Sequence, residues 1–150
     1  MATRSRRGLA IVFAVVFLDL LGFGIIIPIL PYYTRTFPGG TEFVIGLLAA
    51  SYSLMQFVFA PLLGSLSDRI GRRPVIVVSL GGSVIAWTVF GLADALWLLF
   101  VSRMLAGAMG GNLSTAQAYV ADVTPREDRA KSLGLLGAAF GLGFIFGPGI

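Results

Sequence analysis

The chain has 150 residues, of which 57% are hydrophobic and only 12% are charged, and its formal net charge is +4. A typical soluble domain carries about 25% charged residues, so this composition excludes a protein whose surface is covered by water. Cysteine and histidine are both absent, which excludes disulfide bonds and metal sites built from these residues. The basic residues form short clusters between apolar runs, a pattern typical of membrane topology and not of a nucleic-acid-binding surface.

The apolar runs predict an all-α, polytopic membrane helical bundle. A helix needs about 20 apolar residues to cross the hydrocarbon layer of a bilayer, and five segments meet or approach that length. We therefore predict a single transmembrane domain over residues 1–150, with spans at about 9–33, 43–66, 75–93, 96–121 and 132–150. Because the count is odd and the last span ends inside an apolar run, we expect a fragment of a longer protein. A naturally short five-span protein is the alternative.

Lysine and arginine are distributed unequally between the two sides that these spans define. Nine of the eleven lie at the N-terminus and in the second and fourth connections, and only Arg35 lies on the opposite side. Cytoplasmic loops carry an excess of basic residues, so we predict a cytoplasmic N-terminus. The remaining basic residue, Arg103, lies inside a span. Around the fourth connection, Glu127, Asp128 and Arg129 are expected to form a solvated turn.

Glycines four residues apart recur in the apolar runs. Such pairs let helix backbones approach closely in membranes, so we expect helix contacts at three of them, Gly107/Gly111, Gly137/Gly141 and Gly143/Gly147.

Four motifs follow one another along the chain: Leu18-Asp19-(x)2-Gly22-x-Gly24-(x)3-Pro28-(x)2-Pro31, Gly64-x-Leu66-x-Asp68-Arg69-x-Gly71-Arg72-Arg73, Arg103-(x)3-Gly107 and Gly143-(x)3-Gly147-Pro148. Their order and their positions in the spans resemble the major facilitator superfamily, and in particular its drug/proton antiporters. The second motif is similar to the signature loop of that family. This loop and the stretch 118–124 look most like the tetracycline-resistance efflux group.

The resemblance implies the N-terminal half of a facilitator fold, with five of its six spans present. It implies a secondary transporter of a bacterial inner membrane that works by alternating access, in which inward proton flow drives export of a drug-like small molecule. The implied partners are the substrate, protons, the lipid bilayer and the missing C-terminal half. An uptake carrier for a sugar or organic acid remains open, as does a non-transporting scaffold if the chain is complete. The sequence shows no nucleophile–base pair or metal-ligand set, so we expect neither an enzyme nor a cofactor.

Asp19 is the first of two charges within the spans. It lies about ten residues into the first span, or roughly 15 Å deep at 1.5 Å per residue. A carboxylate at that depth is costly unless it is paired, and ionisable residues within membranes are functional by default. We predict that Asp19 binds and releases the transported proton. The alternative is a structural hydrogen bond to another helix.

Arg103 is the second of these charges. On a helix it shares one face with a stripe of small or polar residues that contains Gly107, Gly110, Ser114 and Gln117. We expect this face to line a cavity or a helix interface. We predict that Arg103 is coupled to Asp19, bonding either its carboxylate or backbone carbonyls near residues 22–24. The alternative is a helix contact alone.

The signature loop combines charges with glycines. Asp68 ends a helix, where the helix dipole disfavours a carboxylate, so it needs a neighbouring basic side chain or helix N-terminus. The resemblance implies that Asp68 and Arg72 form a conformational latch, and Asp122 is the expected partner of Arg72. Gly64 and Gly71 would provide the sharp turn and the close packing. The alternative is that the arginines only set topology and contact lipid headgroups.

Two further sets of residues complete the predicted site. Tyr52 and Gln56 on the second span, with Ser114 and Gln117 on the fourth, could line a substrate path, although such residues also bind helices together. By resemblance, the fifth-span motif with Gly143, Gly147 and Pro148 would shape a proton-tight helix interface. One departure concerns the third helix, where tetracycline exporters carry an acid and residues 81–88 have none. This puts a tetracycline-specific site in question.

Overall fold

The computed structural model of the chain describes residues 2–147, so Pro148 lies outside the described residues. The described part consists of six α-helices joined by short connections, with no β-strand among residues 2–147. They are α1 (Ala2–Arg35), α2 (Glu42–Ile70), α3 (Arg72–Gly91), α4 (Leu96–Met109), α5 (Asn112–Val123) and α6 (Arg126–Phe146). The predicted all-α class is confirmed.

Five helical segments of the described chain are long and apolar enough to cross a membrane. They cover Ala10–Arg35, Glu42–Ile70, Arg72–Gly91, Leu96–Val123 and Arg126–Phe146. Many large apolar side chains on them are exposed, including Phe57 at 80% and Ile145 at 72%, as expected of helices whose outer faces meet lipid and not water. The expected five-span membrane architecture is confirmed.

The fourth span differs from the uninterrupted segment that the sequence predicts, because a turn at Gly110 and Gly111 separates α4 from α5. Both glycines lie against α2. A Cβ atom on Gly110 would lie 2.9 Å from the Tyr52 hydroxyl oxygen, and one on Gly111 would lie 2.9 Å from the Cα atom of Ala60. Glycine weakens a helix and also permits close approach, so this pair accounts for both the interruption and the contact.

The connection between α2 and α3 is shorter than the sequence predicts, because Gly71 is its only residue outside a helix. Gly71 has a φ of +100°, a conformation that residues with a side chain rarely adopt, and its N–H donates to the Ser67 carbonyl. The turning role predicted for Gly71 is confirmed. Gly64 itself lies within α2 and not in the turn, and no described residue lies within 4 Å of where its Cβ atom would be, so the role predicted for Gly64 stays a prediction.

The chain divides into two compact units. One contains Met1–Ile27 and Leu113–Ile150, and the other contains Pro28–Asn112. We call them the terminal unit and the central unit, and each is described by itself.

In the central unit, α4 packs against both α2 and α3. Gly107 makes the closest approach to α2, because a Cβ atom at this position would overlap the carbonyl oxygen of Tyr52. The predicted helix contact at Gly107 and Gly111 is confirmed. At the end of α1, the Tyr33 hydroxyl donates to the Ala93 carbonyl over 2.8 Å and ties the helix to the α3–α4 turn.

In the terminal unit, α6 packs on α1 through backbone. A Cβ atom on Gly143 would lie 2.9 Å from the carbonyl carbon of Leu20, and one on Gly147 would lie 2.6 Å from the Cα atom of Gly24. Real Cβ atoms essentially never come so close, so only glycine fits. The contact predicted for Gly143/Gly147 is confirmed. The one predicted for Gly137/Gly141 is wrong for the described residues, because nothing lies within 4 Å of either Cβ position.

Replacing Gly143 with alanine should therefore destabilise the full-length protein by about 1–3 kcal/mol, the usual cost of overpacking, because backbone atoms of α1 cannot move aside. Gly81→Ala is the matched control, since Gly81 lies within α3 with nothing near its Cβ position. Thermal unfolding in detergent should show a lower Tm for Gly143→Ala only. Equal Tm values for both variants would contradict the contact.

Candidate functional site

Asp19 lies on the part of α1 whose backbone contacts α6 within the terminal unit. Its side chain is half-buried, and the next two residues, Leu20 and Leu21, are the ones that Gly143 contacts. One turn further along, Gly24 is covered by Gly147. Packing on α6 therefore fixes how far along the helix axis the turn with Asp19 lies and which way it faces.

Arg103 lies on α4 in the central unit and is only 3% exposed. The guanidinium carbon Cζ is 4.8 Å from the ring centroid of Phe90 and 5.6 Å from that of Trp87. Two of its nitrogens, Nε and Nη2, are buried and have no hydrogen-bond partner among the described residues. The charge is thus held by aromatic rings of α3.

Sequence reasoning missed the two rings that hold Arg103, because the aromatic residues of the spans were interpreted as packing or lipid-facing. A signal was nevertheless present. Trp87 and Phe90 are three residues apart and so share one face of α3, the helix next to a span that contains a cation. The predicted contact between Asp19 and Arg103 stays a prediction, because the two residues belong to different units.

Asp68 and Arg72 meet across the Gly71 turn. The Asp68 Oδ1 atom is 2.5 Å from Nη2 of Arg72, and Nη1 of the same guanidinium donates to the Ser67 hydroxyl over 2.6 Å. That hydroxyl in turn donates to the Gly64 carbonyl over 2.7 Å. The expected basic partner of Asp68 is confirmed. The predicted contact between Arg72 and Asp122 stays a prediction, since Asp122 belongs to the terminal unit.

The acidic member of the Asp68–Arg72 pair lies at the surface. The Asp68 side chain is 62% exposed, whereas the Arg72 side chain is 20% exposed. Exposed ion pairs contribute only about 0–1 kcal/mol to stability. Arg69 and Arg73 on either side are exposed, as expected of residues that set topology.

Arg129 has a structural role that the predicted solvated turn does not include. Its side chain is half-buried, and Nη2 donates to the Ala121 carbonyl over 2.8 Å. Ala121 lies in the last turn of α5, where carbonyl groups lack partners within the helix and a cation is favoured by the helix dipole. Arg129 therefore caps the cytoplasmic end predicted for the fourth span.

A cavity of about 680 Å³ lies between α5 and α6 in the terminal unit. Cavities of roughly 300–1,000 Å³ accommodate drug-sized molecules. Most of its wall is apolar, and Ser114 and Gln117 supply the polar groups. The residues that line it are Leu113, Ser114, Gln117, Ala118, Ala121, Leu133, Leu136, Gly137 and Phe140.

The other two residues of the predicted substrate path make helix contacts. The Gln56 side-chain amide donates to the Gly110 carbonyl over 3.3 Å, and the backbone of Tyr52 packs on Gly107. Both lie in the central unit and connect α2 to α4. These contacts favour the structural alternative that the sequence left open for Tyr52 and Gln56.

The sequence and the fold both match known membrane proteins. The family model described as Major Facilitator Superfamily matches residues 12–150. The chain is 43% identical over 144 residues to the tetracycline resistance protein, class E, of Escherichia coli, and this match covers 95% of the chain and 36% of that protein. It is 42% identical over 147 residues to the class C protein of the same organism, covering 97% of the chain and 37% of that protein.

A solved structure is similar as well. The human organic anion transporter MFSD10 (TETRAN) matches with a TM-score of 0.85 and 29% identity, covering 96% of this chain and 40% of that chain. The chain thus spans little more than a third of the length of the curated relatives it matches. Since the family model covers nearly the whole chain, the chain belongs to the Major Facilitator Superfamily.

Proposed function

We propose that the chain forms most of the N-terminal half of a secondary transporter, which exports a drug-like small molecule in exchange for protons by alternating access. The observation that carries this proposal is the position of Asp19. It is a carboxylate in a membrane-length helix, directly before the segment that Gly143 and Gly147 hold by its backbone. Ionisable residues within spans mark ion pathways by default. The name of the bacterial relatives, tetracycline resistance protein, supports export.

In this proposal Asp19 binds and releases the proton. The contacts of Gly143 and Gly147 with α1 leave no room for a side chain between the two helices, and a water molecule needs as much space. Protons therefore cannot pass between α1 and α6 at this level. They have to reach Asp19 from its other faces, where access changes during the cycle. This restriction is what coupling of proton and substrate movement requires.

The substrate path would include the cavity between α5 and α6. An apolar wall with Ser114 and Gln117 as its polar groups suits an amphipathic molecule that needs little hydrogen bonding. The transporter would lie in a bacterial inner membrane with a cytoplasmic N-terminus, which the distribution of nine of eleven basic residues supports. Asp68 and Arg72 would then act as a latch at the cytoplasmic surface.

A carrier of organic anions is the second candidate, and two observations favour it. The solved structure with similar fold is described as an organic anion transporter. Arg103 is a buried cation, and its Nε and Nη2 atoms have no hydrogen-bond partner among the described residues. Transport assays should therefore use both tetracycline and fluorescein, an organic anion.

Asp19→Asn should abolish drug-driven proton movement, because an amide cannot bind and release a proton. The measurement uses the full-length transporter in everted vesicles, with proton flux followed after addition of tetracycline or fluorescein. Asp94→Asn is the control, since Asp94 is exposed in the α3–α4 turn. Unchanged drug-driven flux in Asp19→Asn, at normal expression, would show that the proton assignment is wrong.

Gln117→Trp should raise the KM for the exported substrate about tenfold or more, because the indole fills part of the cavity and a polar wall group is lost. Leu135→Trp is the control, since Leu135 is exposed on α6 and does not line the cavity. Initial rates of efflux over a range of substrate concentrations give the comparison. A KM that is equal in both variants would exclude this cavity from the path.

Asp68→Asn should lower transport by up to about fivefold, while stability changes by no more than about 1 kcal/mol, because the lost ion pair is exposed. Arg73→Gln is the control for removing one charge from the same surface. Efflux rate and Tm are measured on the same preparations.

For the second contact of the latch, exchanging Arg72 and Asp122 should recover part of the activity that either single neutralisation loses. No recovery at normal expression would argue against that pair.

A further inference from the structure

Three aromatic side chains of the central unit form a connected cluster beside Arg103. Phe90 is 6% exposed, and its ring lies 5.3 Å from the ring of Tyr33 and 6.3 Å from that of Trp87, with edge-on geometry in both cases. Tyr33 is fixed in turn by its hydrogen bond to Ala93. The ring that lies nearest to the guanidinium is thus itself held from two sides.

The cluster contacts a buried guanidinium for which the described residues of the central unit provide no ion pair. Between residues 75 and 91, α3 contains no ionisable residue, so this part of the neighbouring helix offers Arg103 no acid. A carboxylate partner would occupy the N–H groups of the guanidinium, whereas aromatic rings attract the cation through their faces. The charge is thereby stabilised while Nε–H and Nη2–H remain without a partner among the described residues.

These two N–H groups form one edge of the guanidinium. Nε–H and Nη2–H point in parallel, and this edge binds a planar anion such as a carboxylate through two hydrogen bonds. An arginine that is fixed in place loses less entropy when it binds such a group than one that is free to rotate.

We propose that Trp87 and Phe90 are positioning residues for Arg103: their rings hold the guanidinium so that its Nε/Nη2 edge binds a carboxylate-type anion during the transport cycle. This inference rests on the proposed function. The anion comes either from the protein or from the substrate.

The first experiment tests the contact and does not depend on transport. A guanidinium next to an indole changes the indole's emission, so Arg103→Met should shift the fluorescence of Trp87. The full-length transporter is compared with and without Arg103→Met in two backgrounds, Trp97→Phe and Trp87→Phe. Trp97 is 63% exposed at the start of α4 and serves as the reference indole.

We expect the shift to be present in the Trp97→Phe background and absent in the Trp87→Phe background. A shift of equal size in both backgrounds, or none in either, would overturn the proposal. If Arg103→Met does not fold, Arg103→Lys gives the same comparison, because an ammonium group presents a different charge distribution to the ring.

The second experiment separates the aromatic face from simple volume. Phe90→Met and Trp87→Met keep an apolar side chain but remove the ring, whereas Phe90→Tyr and Trp87→Phe keep a ring. We expect efflux to fall about fivefold or more in the methionine variants and to stay within about twofold in the aromatic ones. Equal losses in the two kinds of variant, at equal expression, would contradict a role for the ring faces.

The source of the anion follows from the substrates affected. If the methionine variants lose transport of both fluorescein and a cationic dye, the anion belongs to the protein. If they lose fluorescein transport alone, it belongs to the substrate. Either result supports the positioning role. If the methionine variants transport both substrates normally, the positioning role is contradicted. Should Asp19→Asn leave proton coupling intact while the Trp87 emission shift is observed, the proposed function fails and the contact stands.

Discussion

The backbone contact between α6 and α1 is the constraint on which the terminal unit depends. Hydrophobic burial does not drive helices together within a bilayer, because lipid tails are as apolar as leucine, so close van der Waals packing has to hold them. Gly143 and Gly147 provide that packing, because backbone atoms of Leu20 and Gly24 occupy the space that Cβ atoms on these glycines would need. The same contact places Asp19 next to a rigid segment. The Gly143-(x)3-Gly147 motif, which by resemblance is a functional signature, therefore also packs α6 against α1.

The chain stabilises its charges in two different ways according to depth. Asp68 and Arg72 lie on either side of the turn between α2 and α3, where water still reaches the carboxylate, and they form an ordinary ion pair. Arg103 is almost completely buried, and aromatic rings of α3 contact its guanidinium. A buried ion pair would lose much of its attraction to the cost of removing both charges from water. Because the aromatic rings are neutral, only the charge of Arg103 has to be removed from water.

Much of the fold followed from the sequence because bilayer thickness fixes the length of an apolar helix, and the spans could be found from hydropathy alone. The turn at Gly71 and the contact of Gly143 were predictable too, since glycine is required wherever φ is positive or backbones touch. The break at Gly110 and the open surface at Gly137 were not. Spacing shows that a glycine pair can pack, but which helix faces it depends on tertiary structure. Trp87 was missed for the same reason, because aromatic residues in spans are equally suited to lipid.

The weakness of the Asp68–Arg72 pair bears on what it can do. An interaction of about 1 kcal/mol adds little to the stability of a folded bundle, but it changes the ratio of two conformations about fivefold if it exists in only one of them. A transporter that alternates between two states needs biases of this size, because a much stronger contact would trap one state. The exposure of the Asp68–Arg72 pair keeps its contribution within this range, so the pair suits a switch better than a structural clamp.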